Sequence, residues 1–175
     1  LSIQQRYLQA CGTSRLRLIE TRMTAADILT ASGWVASNSA KRAMALQIYS
    51  VLATENMRGA QAVAAELAKW IRRKSFEDYR AAMKTVEAHD LALMVLKWWK
   101  RPACLTCGGH GHPTMPGSPV LDESKECQVC HGTGLIPLER LMKAEHIPYA
   151  NWLISEMDSI TSSVFDAIAR RLRDF

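Results

Sequence analysis

The stretch CLTCGGHG, Cys104 to Gly111, returns in outline twenty-three residues later as CQVCHGTG, Cys127 to Gly134, and both read C-x-x-C-x-G-x-G. No other feature constrains the chain as strongly. Two cysteines three apart can curl around one tetrahedral cation from a tight turn, and the glycines supply the positive φ angles that bring backbone N–H groups to face sulfur. Four thiolates from two such turns, Cys104, Cys107, Cys127 and Cys130, make a closed site of the structural type, with no open position for catalysis. Nineteen residues separate Cys107 from Cys127, inside the C-x2-C-x15–20-C-x2-C spacing that reads as a zinc site. The expected cofactor is therefore Zn2+.

A redox or disulfide role is the competing use of such cysteines. The total of five is odd, and no leader-like stretch stands ahead of them, which leads us to expect a reducing cytoplasm. Cys11 is the one left over and reads as a small buried apolar residue. His110, His112 and His131 lie close enough in sequence to compete as ligands, but hydrogen bonding around the site or exposure to solvent suits them better once four thiolates are in place.

A chain of 175 residues, 48% of them hydrophobic, has the composition of an ordinary globular protein. Its 22 Lys+Arg against 17 Asp+Glu give a net charge of +5, a modest excess that favours an anionic partner and allows nucleic acid. The longest apolar run, Leu91 to Leu96, is far shorter than the ~20 residues that span a bilayer, so no membrane segment is expected. Nor is an enzyme: an open metal position, a nucleophile paired with a base and a phosphate-binding glycine loop are all missing from the sequence.

The rest reads as mainly α. Thr24 and Asp27 stand in capping-box spacing ahead of Ile28 and Leu29, with Gly33 as a helix stop. Ser37 or Ser39 caps a second helix carrying Ala43, Leu46, Ile48, Val51 and Leu52 at helical intervals. A third begins near Asn56, shows the stripe Ala60, Val63, Ala64, Leu67, Trp70, Ile71, and ends in Arg72-Arg73-Lys74. A long fourth runs from Phe76 to Trp99, with Tyr79, Met83, Val86, Leu91, Met94 and Leu96 near the helical period and Pro102 closing it. Trp98-Trp99 offers rings to a base, although packing against the cysteine module is the simpler role for at least one of them. Between the cysteine pairs, PTMPGSPVLDESKE is rich in Pro, Gly and Ser and reads as a projecting loop or short hairpin.

After Gly134 the pattern turns helical again. LERLMKAEH is followed by a break at Ile147-Pro148 and by a final helix with the core stripe Val164, Phe165, Ile168, Ala169, Leu172. Helix, short turn, helix is the outline of a helix-turn-helix, whose second helix lies in the major groove. On that outline Leu138, Leu141, Ile147, Trp152 and Leu153 form the apolar seam. Tyr149, Asn151, Ser155 and Glu156 point outward, and Lys143 reaches a phosphate; we take Lys143, Tyr149, Asn151 and Ser155 as the candidate DNA contacts. The fold class expected is a helical bundle with an inserted four-cysteine zinc knuckle or short hairpin and a C-terminal helix-turn-helix. Its divisions are an N-terminal segment 1–23, a helical region 24–102, the knuckle 103–134 and C-terminal helices 135–175.

With these residues assembled, the chain resembles the lambdoid phage late-gene antitermination protein Q family from about Thr24 to Leu172. Four features carry the resemblance: Thr24-x-x-Asp27-Ile28-Leu29-x-Ala31-x-Gly33, a long helix running into the first cysteine pair, the two C-x-x-C-x-G-x-G turns, and Phe165-Asp166-Ala167-Ile168 after the Ile147-Pro148 break. It implies a protein that binds double-stranded DNA within a phage late promoter, joins RNA polymerase paused just downstream and makes it terminator-resistant. The implied partners are the polymerase β flap, the primary sigma factor and NusA, and the implied setting is the cytoplasm of a bacterial host. The four cysteines match position for position, whereas the loop between the pairs and the turn before the last helix differ in length. The rival readings are a zinc-stapled DNA-binding repressor or activator and a DnaJ-like module. The latter family carries four such repeats and a His-Pro-Asp motif, whereas here there are two and His112-Pro113 precedes Thr114.

Overall fold

A computed structural model of the chain describes residues 25–54, 57–100, 103–115 and 117–173, together with Ile3, Gln5 and Tyr7. The readings made for Cys11, Thr24, Asn56 and Pro102 lie outside these residues. Helices α1 (Ala25–Ser37), α2 (Ala40–Thr54), α3 (Met57–Tyr79) and α4 (Thr85–Lys100) lead into the cysteine module; two single 3-10 turns, Leu138–Arg140 and Ala144–His146, then lead into the long α5 (Ile147–Arg173).

One amphipathic helix organises the core. Along α5 the buried residues are Ala150, Leu153, Met157, Ile160, Thr161, Val164, Phe165, Ile168 and Leu172, a spacing of three and four that puts them on one face of a 3.6-residue helix. That face packs on α1, α2, α3 and α4 alike. Opposing it are Ile28 and Val35 of α1, Leu46 and Ile48 of α2, Val63, Leu67 and Ile71 of α3, and Leu91 and Val95 of α4. Aromatic edges lock the centre: the Tyr49 ring meets Phe165 at 4.8 Å and Trp99 at 5.5 Å, and Tyr7 meets Phe165 at 5.9 Å. Thr161 is the buried polar residue on the α5 face, and its hydroxyl donates to the Met157 carbonyl at 2.7 Å, which spares it the penalty of an unpaired buried group.

Three boundaries differ from the sequence reading. Helix α1 passes through Gly33 instead of stopping there: Gly33 does not take the left-handed φ of a helix stop, and the buried Val35 beyond it still anchors the helix. The end comes where Asn38 Nδ2 and Ser37 Oγ donate back to the Trp34 carbonyl at 2.7 and 2.8 Å, filling an acceptor that the helix terminus leaves open. Second, Arg72-Arg73-Lys74 does not end α3, which continues to Tyr79; the expected helix from Phe76 to Trp99 is two pieces. Arg80 turns left-handed at φ 56, and its N–H still reaches the Phe76 carbonyl at 2.9 Å. The reversal is fastened from α3: Ser75 Oγ accepts the Met83 N–H at 2.8 Å, and Arg72 Nε donates to the Met83 carbonyl at 3.1 Å. Tyr79 and Val86, assigned to the buried stripe, are 71% and 74% exposed.

Third, the helix expected over LERLMKAEH is absent. Pro137 precedes one single turn, Lys143 precedes the next, and Leu141, placed in the apolar seam, lies 37% exposed while Leu138 is buried. The Ile147-Pro148 pair is not a break between helices but the first turn of α5. Proline suits that position, since an N–H there would lack an intrahelical acceptor and its fixed φ is already helical.

Candidate metal centre

Cys104, Cys107, Cys127 and Cys130 are all buried free thiols, and their four sulfurs lie within 4.8 Å of one another. The Cys104–Cys127 and Cys107–Cys130 sulfur separations are 4.0 and 3.7 Å. A disulfide would bring two sulfurs to about 2.05 Å. Four ligands at ~2.3 Å around one tetrahedral ion stand about 3.8 Å apart, so the observed spacing fits a shared cation and not a bridge.

The two turns share most of their hydrogen bonds and differ at the one to the first cysteine's carbonyl, made five residues on in the first half and four in the second. In the first, the Gly109 N–H donates to the Cys104 carbonyl and the His110 N–H to the Cys107 carbonyl, each at 3.1 Å. In the second, the His131 N–H reaches the Cys127 carbonyl at 2.8 Å and the Thr133 N–H reaches Cys130 at 3.1 Å. The N–H four residues past the second cysteine then points at its sulfur in both halves: Gly111 to Cys107 Sγ at 3.3 Å and Gly134 to Cys130 Sγ at 3.2 Å. The halves also cross-link reciprocally, the Cys104 N–H donating to the Gly134 carbonyl at 2.7 Å and the Cys127 N–H to the Gly111 carbonyl at 2.8 Å. Each half thus supplies the other's missing backbone partner, as adjacent strands do.

Glycine is required at the crossing. Gly111 and Gly134 have φ of +79 and +71, and a Cβ on either would drive into a carbonyl oxygen of the opposite half, that of Gly132 or Gly109. At the position after the second cysteine the halves differ: Gly108 sits at φ 60, whereas His131 holds nearly the same angle, φ 50, with a side chain attached.

The same N–H groups act on the thiols. Burial raises the Cys104 thiol, but the N–H groups of Cys107 and Thr106, together with the Cys107 and Cys127 thiols, outweigh it and bring it to about 7. The N–H groups of Cys130 and Val129 hold the Cys127 thiol below its usual range. Burial pushes Cys130 up to about 11. The donor set is soft and buried, which suits a cation with high thiolate affinity. His110 and His131 are exposed, and the His112 Nδ1–H donates to the Lys125 carbonyl at 2.9 Å. Between the halves, the Met115 N–H to Val120 carbonyl bond and the Asp122 N–H to Pro113 carbonyl bond, both 2.8 Å, pair the ends of the loop into a short hairpin.

The module is fixed to the bundle through the chain that leaves it. Trp98 Nε1 of α4 donates to the Ile136 carbonyl at 2.7 Å, and Ile136 and Val129 pack against the cysteines. Trp99 takes the other direction, its Nε1 donating to Asp158 Oδ1 of α5 at 3.0 Å. His146 Nε2 meets Glu87 Oε1 at 2.8 Å and pins the second 3-10 turn to α4. This pin was not legible in advance, because Glu87 and His146 stand 59 residues apart in a pattern that marks neither.

The four candidate DNA contacts do not form one cluster. Asn151 and Ser155 are exposed one turn apart on α5. Lys143 is exposed on the loop between the 3-10 turns, 3.7 Å from Glu145. Tyr149 is half-buried and faces the end of α3, its ring 6.3 Å from Tyr79, and desolvation, followed by the charge field of Tyr79 and Asp78, raises its hydroxyl pKa. Glu156, expected to point outward, is half-buried. No family model, curated protein or solved structure matches the chain. Among the described residues no helix is long and apolar enough to cross a membrane.

Proposed function

We propose that this chain is a zinc-stapled transcription antitermination factor. In this reading it binds double-stranded DNA in a phage late promoter, loads onto RNA polymerase paused just downstream and makes the polymerase terminator-resistant. The observation that carries the reading is the pair of cysteine turns, with four sulfurs at the spacing of one tetrahedral ion, followed after two 3-10 turns by a helix whose first turns expose Asn151 and Ser155. Zn2+ is the ion we assign, since a closed four-thiolate set is a structural zinc type. When bound it holds the two halves together, while the chain's own residues orient the start of α5 through Ile136, Trp98 and the His146–Glu87 pair.

Lys143 would meet a phosphate, and Tyr149, Asn151 and Ser155 would supply the side-chain contacts of a helix-turn-helix-like unit in which the two 3-10 turns stand where a first helix was expected. Phosphate contacts give affinity and salt dependence, and few side chains choose the site. Contacts to the polymerase β flap, the primary sigma factor and NusA would raise the local concentration of a weak DNA binder. The exposed Leu105, 89% accessible beside the first cysteine, offers an apolar point for such a protein contact. No step in this role is catalytic.

Transcription in vitro on a template with a late-type promoter and a distant terminator tests the reading. Zinc-loaded protein should raise terminator readthrough only when promoter-proximal DNA is present. Altered initiation with unchanged readthrough would replace the proposal with an ordinary zinc-stapled repressor or activator.

A further inference from the structure

The end of α3 and the turn after it carry an aromatic and basic surface that the bundle does not use. Phe76 and Tyr79, one turn apart, are 50% and 71% exposed, and neither joins the core. Tyr149 approaches from α5 and meets Tyr79 edge-on at 63°. From Arg72 to Lys84 the sequence places Arg72, Arg73, Lys74, Arg80 and Lys84 against Glu77 and Asp78. Those two carboxylates pair along the helix with Arg73 at 3.8 Å and Lys74 at 2.8 Å, so the patch remains net positive.

The rings are not there to hold the reversal. Ser75 and Arg72 fasten Met83 by hydrogen bonds of 2.8 and 3.1 Å that involve neither ring. Large rings left outside on a cationic helix end match what unpaired nucleotides require, namely flat faces for bases and positive charge for the phosphates between them. A stacked duplex offers no base face to such rings. An apolar protein partner would leave the surplus cations uncompensated.

The geometry points to a single-stranded nucleic-acid site, in which Phe76 and Tyr79 stack on successive unpaired bases, Tyr149 backs Tyr79, and Arg73, Arg80 and Lys84 face the phosphates. This site shares Tyr149 with the duplex contact proposed above, but the residues that carry it, Phe76, Tyr79 and the cations around them, take no part in that contact, and it does not rest on it.

The test is fluorescence anisotropy of a labelled twelve-residue oligothymidylate with the full zinc-loaded chain, repeated for Phe76→Ala, Tyr79→Ala and the ring-preserving Phe76→Tyr and Tyr79→Phe. Zinc content and helicity are checked for each variant. Each alanine should weaken binding by roughly tenfold, the size of one lost base stack, without changing the salt slope, and the ring-preserving variants should bind as the parent does. An Arg80→Ala, Lys84→Ala double variant should make the salt dependence shallower by about 1.4 in slope. Failure of the parent to bind the oligonucleotide, or alanine variants that bind as well as the parent, would overturn the site and leave the patch to a protein. The same variants on a late-promoter duplex keep the two readings apart: duplex binding lost in the parent with oligothymidylate binding intact sinks only the promoter reading.

Discussion

The cysteine module and the helical bundle solve the same problem with different means. The bundle buries Leu67, Ile71, Leu153, Met157 and Ile168 almost completely, and removal of apolar surface from water holds its helices in place. Among its described residues the module, 103–134, has its four cysteines as the buried hydrophobic positions, with half-buried Val129 and, just past its end, Ile136 packed against them. Its order is a lattice of backbone hydrogen bonds between two short turns rich in left-handed residues. Such turns lose much conformational entropy on ordering, and few apolar contacts oppose that loss. A cation shared by the four sulfurs would then be the main stabilising element of the module, whereas the bundle has its own buried apolar core.

The strongest way to break this comparison is to take the metal away. Structural zinc contributes on the order of 10–16 kcal/mol of apparent binding energy. Chelation, or Cys127→Ser, should therefore abolish amide protection in residues 103–134 while the far-UV helical signal from α1 to α5 largely persists. Hydrogen exchange followed by mass spectrometry reads both regions at once, and simultaneous loss of protection in α3 and α5 would show that the regions are one cooperative unit. Uptake should release protons near pH 7.5, with Cys130, pushed up to about 11, contributing, since a coordinating thiol must be ionised. Affinity consequently rises with pH.

Leu153→Ala should do the converse. Leu153 is fully buried on α5, and a leucine truncated in a packed core loses roughly 2–5 kcal/mol. A thermal melt should shift down by many degrees while zinc stoichiometry stays at one ion per chain. Gly134→Ala comes next in size. Its φ of +71 and the Gly109 carbonyl facing it strain both backbone and packing, for which about 3 kcal/mol is a reasonable scale. The loss should appear as weaker zinc retention in a competition with a chromophoric chelator, with the bundle's melting temperature nearly unmoved.

The two regions also differ in how much of them could be read beforehand. The module was legible because its chemistry forces residue types into fixed places: a thiolate every third residue, and glycine where a φ is positive and another backbone lies close. The helical stripes of α2, α3 and α5 were legible from their period, and Leu46, Val63, Leu67, Phe165 and Ile168 are indeed buried. The boundaries were not. RAAMK, residues 80–84, holds neither glycine nor proline, so the reversal after Tyr79 leaves no local mark; it is set by Ser75 and Arg72 reaching Met83. Gly33 carried the opposite trap, a stop signal in a helix anchored beyond it by Val35. LERLMKAEH has a helical period, yet only Leu138 of it is buried, with Met142 half-buried against the core, and without a buried stripe the period alone does not make a helix.

The smallest prediction sharpens the comparison most, because one kind of change is made in both regions. His131 in the module and Arg80 at the end of α3 are the described non-glycine residues with positive φ, at 50 and 56. A left-handed residue with a side chain is disfavoured by roughly 1–2 kcal/mol, while glycine's extra unfolded freedom returns part of that, so substitution by glycine should stabilise by about 0.5–1 kcal/mol at either position. The readouts should separate. His131→Gly makes the second turn match the first, where Gly108 already holds φ 60, and should raise zinc retention several-fold without moving the bundle's melt. Arg80→Gly should raise the melting temperature by a few degrees and leave zinc retention alone. If each variant moved both readouts, strain would pass between module and bundle through the Trp98–Ile136 link, and their stabilities would have to be treated as coupled.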